Sequence, residues 1–153
     1  MLAAGDKAPE FSLDNLDGGK QSLSELLRQG PALLVFFKVS CPVCQLALPF
    51  LDRIGKGSLQ VVAISQDNQS ATRQFHKTYG VSLTTLLDRG EDRYPASNAF
   101  GIQHVPTAFL IEPDGAISSA VEGFRKADLE SLGLRSGIVT FRETEAVPAW
   151  KAG

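Results

Sequence analysis

"ALLVFFKVSCPVCQLALPF", residues 32–50, joins an unbroken apolar run to the only two cysteines of the chain. The run from Ala32 to Phe37 has strand length and no polar alternation, as expected of a central strand covered on both faces. Pro42, directly after Cys41, suits the first turn of a helix, where its fixed φ is already helical and its missing N–H has no partner to lose. The stretch therefore reads as buried strand, short loop, and a helix that starts at Cys41. Unpaired amides and the positive end of the helix dipole stabilise a thiolate there, which makes Cys41 the candidate nucleophile. Cys44 lies one turn further in, within reach of a mixed disulfide formed on Cys41, and is the candidate resolving thiol.

Outward from this stretch, short apolar runs alternate with helical spacing. "EFSL" and "DGGKQSL" read as two short strands about a DG turn, and Ser22 with Glu25 offers a capping box for a helix through "SELLRQ". "LQVVAIS" is a second buried strand, followed by a helix "NQSATRQFHKTYG" that Gly80 closes in the left-handed region. "TTLLD" reads as a third strand, "YPASNAFGI" as a short helix, "TAFLIEPDGAISSAV" as a hairpin turning at Pro113 to Gly115, and "KADLESLGL" as a last helix. This order predicts an α/β domain with helices on both faces of a mostly parallel sheet, whose ligands gather where strands hand over to helices.

Composition narrows the function. With 153 residues, 43% hydrophobic and 21% charged, the chain has enough for one core and folds without a staple. Fifteen basic against seventeen acidic residues give a formal charge of −2, which provides no field for nucleic acid or an anionic membrane. The apolar runs are too short to span a bilayer, and "MLAAGDKAPEF" lacks the basic start and apolar stretch of a signal peptide. The expected location is the cytoplasm, where a reducing role follows; a removed leader would reverse that expectation.

Two other uses of the cysteine pair stand beside catalysis. A structural disulfide across two intervening residues removes little chain entropy. A metal module needs more donors than two thiolates, and His76 and His104, the only histidines, fall at no zinc-finger spacing from them.

Across residues 4–133 the chain resembles the thioredoxin-like superfamily, and within it the TlpA-like and AhpC/TSA (redoxin) proteins. "GDKAPEFSLDNLDGGKQSLSELL" is similar to the redoxin N-terminal extension, "LLVFFKVSCPVCQLALPFL" to the family's strand, active site and first long helix, with Pro49 at the kinking proline, and "LQVVAISQDNQSATRQFHKTYGV" to the next strand and helix. "FGIQHVPTAFLIEPDGAI" is similar to the segment carrying the family's cis-proline. The resemblance implies a central mixed sheet flanked by helices, with the N-terminal extension and an inserted strand-helix unit. It also implies a cis Pro106 set against the cysteines, with Val105, Pro106 and Thr107 binding an extended substrate strand. The activity implied is thiol-disulfide exchange through Cys41 and Cys44 on protein disulfides, with electrons from an external thiol reductant and no bound organic cofactor.

Departures from the family pattern bear on the activity. Val35 stands where thioredoxins carry a buried acid, and Ala47 where many TlpA-like reductases carry a glutamate; Ser40 replaces the tryptophan that commonly precedes the first cysteine. Peroxidase-type redoxins have threonine and proline at the positions of Lys38 and Leu34, so a peroxiredoxin-like thiol peroxidase is the runner-up. Lys38 is placed to lend positive charge to Cys41, and His104 to meet a substrate or relay a proton. The expected domain spans residues 1–134. The remaining 135–153 form a tail in which "GIVTF" is a candidate edge strand and Trp150 a candidate anchor.

Overall fold

The computed structural model describes residues 1–153. At its centre lies strand β3, Ala32–Phe37, buried along its whole length. Its side chains alternate between two cores. Leu33, Val35 and Phe37 pack with helix α2 (Pro42–Ile54), while Ala32, Leu34 and Phe36 pack with Phe100 and Phe109 on the opposite face. Burial on both faces is why the run shows no polar alternation.

Strands β1 (Ser12–Asn15), β2 (Lys20–Ser22), β4 (Gln60–Ser65), β5 (Thr84–Leu87), β6 (Thr107–Ile111) and β7 (Ile117–Glu122) complete a seven-stranded sheet in the order β2-β1-β5-β4-β3-β6-β7. Only β3 with β4 and β4 with β5 pair in parallel; the other four pairings are antiparallel. The sheet is thus mixed, not mostly parallel. Parallel neighbours need a crossover, which α2 and helix α3 (Gln69–Tyr79) supply, whereas tight turns join β1 to β2 and β6 to β7 and can give only antiparallel pairs.

The helices begin and end on local signals. The Ser22 hydroxyl accepts from the Glu25 amide at 3.2 Å and the Glu25 carboxylate accepts from the Ser22 amide at 3.1 Å, closing the capping box of α1 (Leu23–Leu27). Asn68 caps α3, and Gly80 ends it at φ 66°. Helix α4 (Pro95–Phe100) joins α1 on one face of the sheet, and α5 (Lys126–Ser136) joins α2 and α3 on the other.

The tail departs from the expectation: residues 137–141, "GIVTF", form no strand. They are committed to the helix layer, where the Thr140 hydroxyl donates to the Leu129 carbonyl at 3.0 Å and the Phe141 ring lies 4.7 Å from that of Phe50. Arg53 of α2 grips the carboxylate of Glu145 through both terminal nitrogens, at 2.7 and 2.6 Å, and also donates to the Thr140 carbonyl. Beyond this clamp, β9 (Trp150–Lys151) pairs antiparallel with β8 (Phe124–Arg125), outside the main sheet.

Candidate active site

β3 delivers the chain to a three-residue loop, and Cys41 then caps α2 in an extended conformation, φ −82° and ψ 116°. Its Sγ accepts from the Cys44 amide at 3.2 Å, so one of the free N–H groups of the helix's first turn points at the sulfur. The loop is pinned from both sides. The Val39 amide donates to Asp67 Oδ2 at 2.8 Å, Gln45 Nε2 donates to the Val39 carbonyl at 3.0 Å, and the Cys41 amide donates to the Lys38 carbonyl at 3.3 Å.

Both cysteines are free thiols, partly exposed at Cys41 and fully buried at Cys44. Burial in the core beside Leu48 pushes the Cys44 thiol far above the ordinary thiol range, and the Cys41 thiol and the negative charge of Asp67 push it the same way. Val35 and Ala47 pack into that same apolar core, so no carboxyl stands at either position.

The second half of the site comes from the segment ahead of β6. The Val105–Pro106 peptide is cis, and the Cys41 thiol lies 3.5 Å from the Val105 carbonyl oxygen, to which it donates. Thr107 is buried, and its hydroxyl donates to the His104 carbonyl at 2.7 Å; the Gly123 amide donates to the Pro106 carbonyl at 2.8 Å. Cys41, Cys44, Val105, Pro106 and Thr107 are therefore gathered in one place, at the carboxyl end of β3 and the start of its antiparallel neighbour.

The model of the AhpC/TSA family matches residues 4–120. The chain belongs to the AhpC/TSA family. It is 30% identical over 127 residues to the thiol-disulfide oxidoreductase ResA of Bacillus subtilis, covering 80% of this chain and 69% of that one. A solved thiol:disulfide interchange protein of the thioredoxin family from Chlorobium tepidum superposes with a TM-score of 0.70 at 25% identity, over 89% of this chain and 99% of its own. Peroxidoxin BcpB from Mycobacterium tuberculosis shares the fold, with a TM-score of 0.73 at 20% identity over 89% and 96% of the two chains. The chain is thus a thiol-disulfide oxidoreductase with a thioredoxin-like fold.

Within this AhpC/TSA fold, Lys38 and His104 line one polar cavity beside Val105, together with Gln66 and Ser97. Lys38 meets Cys41 only through its backbone carbonyl, and its side chain is exposed. His76 lies elsewhere, bonded to the Thr85 hydroxyl at 2.9 Å. Asp67 is the site residue that the sequence reading passed over. Its signal was the polar "SQDN" ending a buried strand that pairs in parallel with β3, at the edge where loops of such sheets converge. No group of three or more His, Cys, Asp or Glu side chains is arranged to hold a metal ion. No helix is long and apolar enough to cross a membrane.

Proposed function

We propose that this chain exchanges disulfides with protein partners through its CPVC dithiol. The thiolate of Cys41 attacks one sulfur of a partner disulfide, forming a mixed disulfide and expelling the other partner sulfur as a thiolate. Cys44, once deprotonated, attacks the Cys41 sulfur, which closes the Cys41–Cys44 disulfide and frees the second partner thiol. Two electrons pass to the partner, and an external thiol reductant restores the dithiol. Val105, Pro106 and Thr107 form the platform on which an extended partner strand is laid. Residues 1–134 carry this chemistry in full, and 135–153 are an appended tail.

The observation that carries the reading is the position of the Cys41 sulfur: partly exposed, in contact with the Val105 carbonyl, and backed by the amide of a buried second cysteine. The direction of transfer follows the potential of the compartment, with reduction of partners expected in a cytoplasmic setting. The peroxidase alternative is disfavoured by Lys38, which stands where peroxidase-type redoxins carry the threonine donor and whose exposed side chain makes no hydrogen bond to Cys41.

Insulin reduction with a thiol reductant tests the reading. Wild-type protein should catalyse it, Cys41→Ser should not, and Cys44→Ser should accumulate a mixed disulfide that a reductant releases. Negligible exchange, combined with hydrogen peroxide oxidation several orders of magnitude faster than that of a free thiolate, would establish the peroxidase instead.

A further inference from the structure

The cavity beside Val105 has about 240 Å³ and is lined by Lys38, Gln66, Ser97, Asn98, His104 and their neighbours. That is below the range of about 300–1,000 Å³ typical of small-molecule sites, and it suits a single side chain. Two of its walls are joined to the nucleophile, since the Lys38 carbonyl accepts from the Cys41 amide and the Val105 carbonyl accepts from the Cys41 thiol. In the proposed exchange, a strand laid on Val105 with its sulfur at Cys41 would pass beside this cavity, which Val105 itself lines.

The charge of the lining is one-sided. Lys38 is the only formally charged residue of the wall, no carboxylate lines it, and Lys38 takes part in none of the ion pairs of the fold. Two acids flank the lining without entering it: half-buried Asp67, next to Gln66, accepts from the Val39 amide at 2.8 Å, and buried Asp88 has its charge taken up by the amides of Ala96 and Ser97 and by the Ser97 hydroxyl, at 2.9, 2.8 and 2.5 Å. With the Ser97 proton committed to Asp88, its oxygen accepts from Gln66 Nε2 at 2.8 Å, which fixes the amide of the cavity wall. On the far side of His104, a second cavity is bounded by Glu122, Arg125, Trp150 and Gly153, and the tail there stands so close that a Cβ on Gly153 would clash with the Val105 carbonyl. The tail crowds that flank of Val105, and the polar cavity remains open for the partner's neighbouring side chain.

We propose that this cavity is a specificity subsite for an acidic side chain adjacent to the reacting cysteine of a polypeptide disulfide, with Lys38 as its counter-charge. The proposal rests on the disulfide-exchange reading and adds a substrate class to it. An ion pair at a partly exposed site favours its partner modestly, by about three- to fivefold in rate constant.

The test uses disulfide-linked peptides of one sequence carrying glutamate, glutamine or lysine beside the cysteine, on either side in turn. The rate of mixed-disulfide formation is measured with the reduced full-length chain. Glutamate peptides should react about three- to fivefold faster than glutamine peptides and lysine peptides more slowly still, at one flank. The glutamate-to-glutamine ratio should fall to about one in Lys38→Gln and persist in Lys20→Gln, which removes the same charge from the distant β2. Equal rates for all three peptides, or a preference that Lys20→Gln abolishes as fully as Lys38→Gln, would overturn the subsite while leaving disulfide exchange intact. Failure to react with every peptide and with insulin would overturn both.

Discussion

The thiol of Cys41 donates to the carbonyl of Val105 at 3.5 Å, linking two residues 64 positions apart. This contact joins the helix that carries Cys41 to the loop that the proposed exchange assigns to the partner, so the Cys41 sulfur and the Val105 backbone are held in one frame. The frame leaves Cys41 partly exposed and puts Cys44 beneath it, out of solvent.

Exposure predicts an order of alkylation. In the reduced protein near neutral pH, iodoacetamide should modify Cys41 at least about tenfold faster than Cys44, because a buried thiol with a raised pKa offers neither access nor thiolate. Peptide mapping after a short pulse reads the order, and a faster Cys44 would reverse the assigned roles.

The same burial predicts how resolution responds to pH. In the proposed exchange only the thiolate of Cys44 attacks, and a pKa raised mainly by desolvation leaves it protonated at neutrality. The decay of a preformed mixed disulfide on Cys41 should therefore accelerate by about tenfold per pH unit from about pH 7 to about pH 9 without a plateau. Asp67→Asn keeps an oxygen for the Val39 amide and removes a negative charge that raises Cys44, so its profile should move to lower pH.

Thr107 predicts the cost of loosening the loop. Thr107→Val preserves shape and deletes the hydroxyl that donates to the His104 carbonyl at 2.7 Å. The loss should be about 1 kcal/mol in urea unfolding, the usual net worth of such a bond. Insulin reduction should slow as well, since the loop flanks Val105, the residue proposed to pair with the partner.

Glu145 predicts an acid transition confined to the tail. Hydrogen bonds from the Arg53 guanidinium, and then from the Arg142 amide, hold its carboxyl down to about 2 from an ordinary 4.5. A carboxyl whose pKa falls on folding contributes stability above its unfolded value and loses it as pH drops through the folded one. The tail should thus loosen between about pH 4.5 and about pH 2, and not near neutrality. Trp150, the only tryptophan, reports this by fluorescence; Glu145→Gln should lack that transition and hold the tail more weakly already at pH 7.

Phe141 predicts the worth of the tail's apolar anchor. Its ring packs against Phe50 and Phe124 but is only half-buried. Phe141→Ala should cost ~2 kcal/mol in thermal or urea unfolding, less than the roughly 3–5 kcal/mol of a fully buried phenylalanine. An unchanged midpoint would show that the tail adds nothing to the body.

Local signals carried much of this protein in its sequence. The all-apolar Ala32–Phe37, the proline after Cys41, the Ser22–Glu25 box and Gly80 each specify an element or its end, because burial period, capping and left-handed φ act within a few residues. The motif with its family resemblance also named both cysteines and the segment around Pro106. Only the tertiary structure decided the rest. It pairs β6 antiparallel beside β3 and so sets Val105 against Cys41, brings Asp67 to the Val39 amide across parallel strands, and spends "GIVTF" on α5 and Arg53 instead of a sheet edge. Those outcomes depend on which distant side chains meet, through sheet register and the docking of one layer on another, and hydrophobic periodicity records only that a residue is buried, not against what.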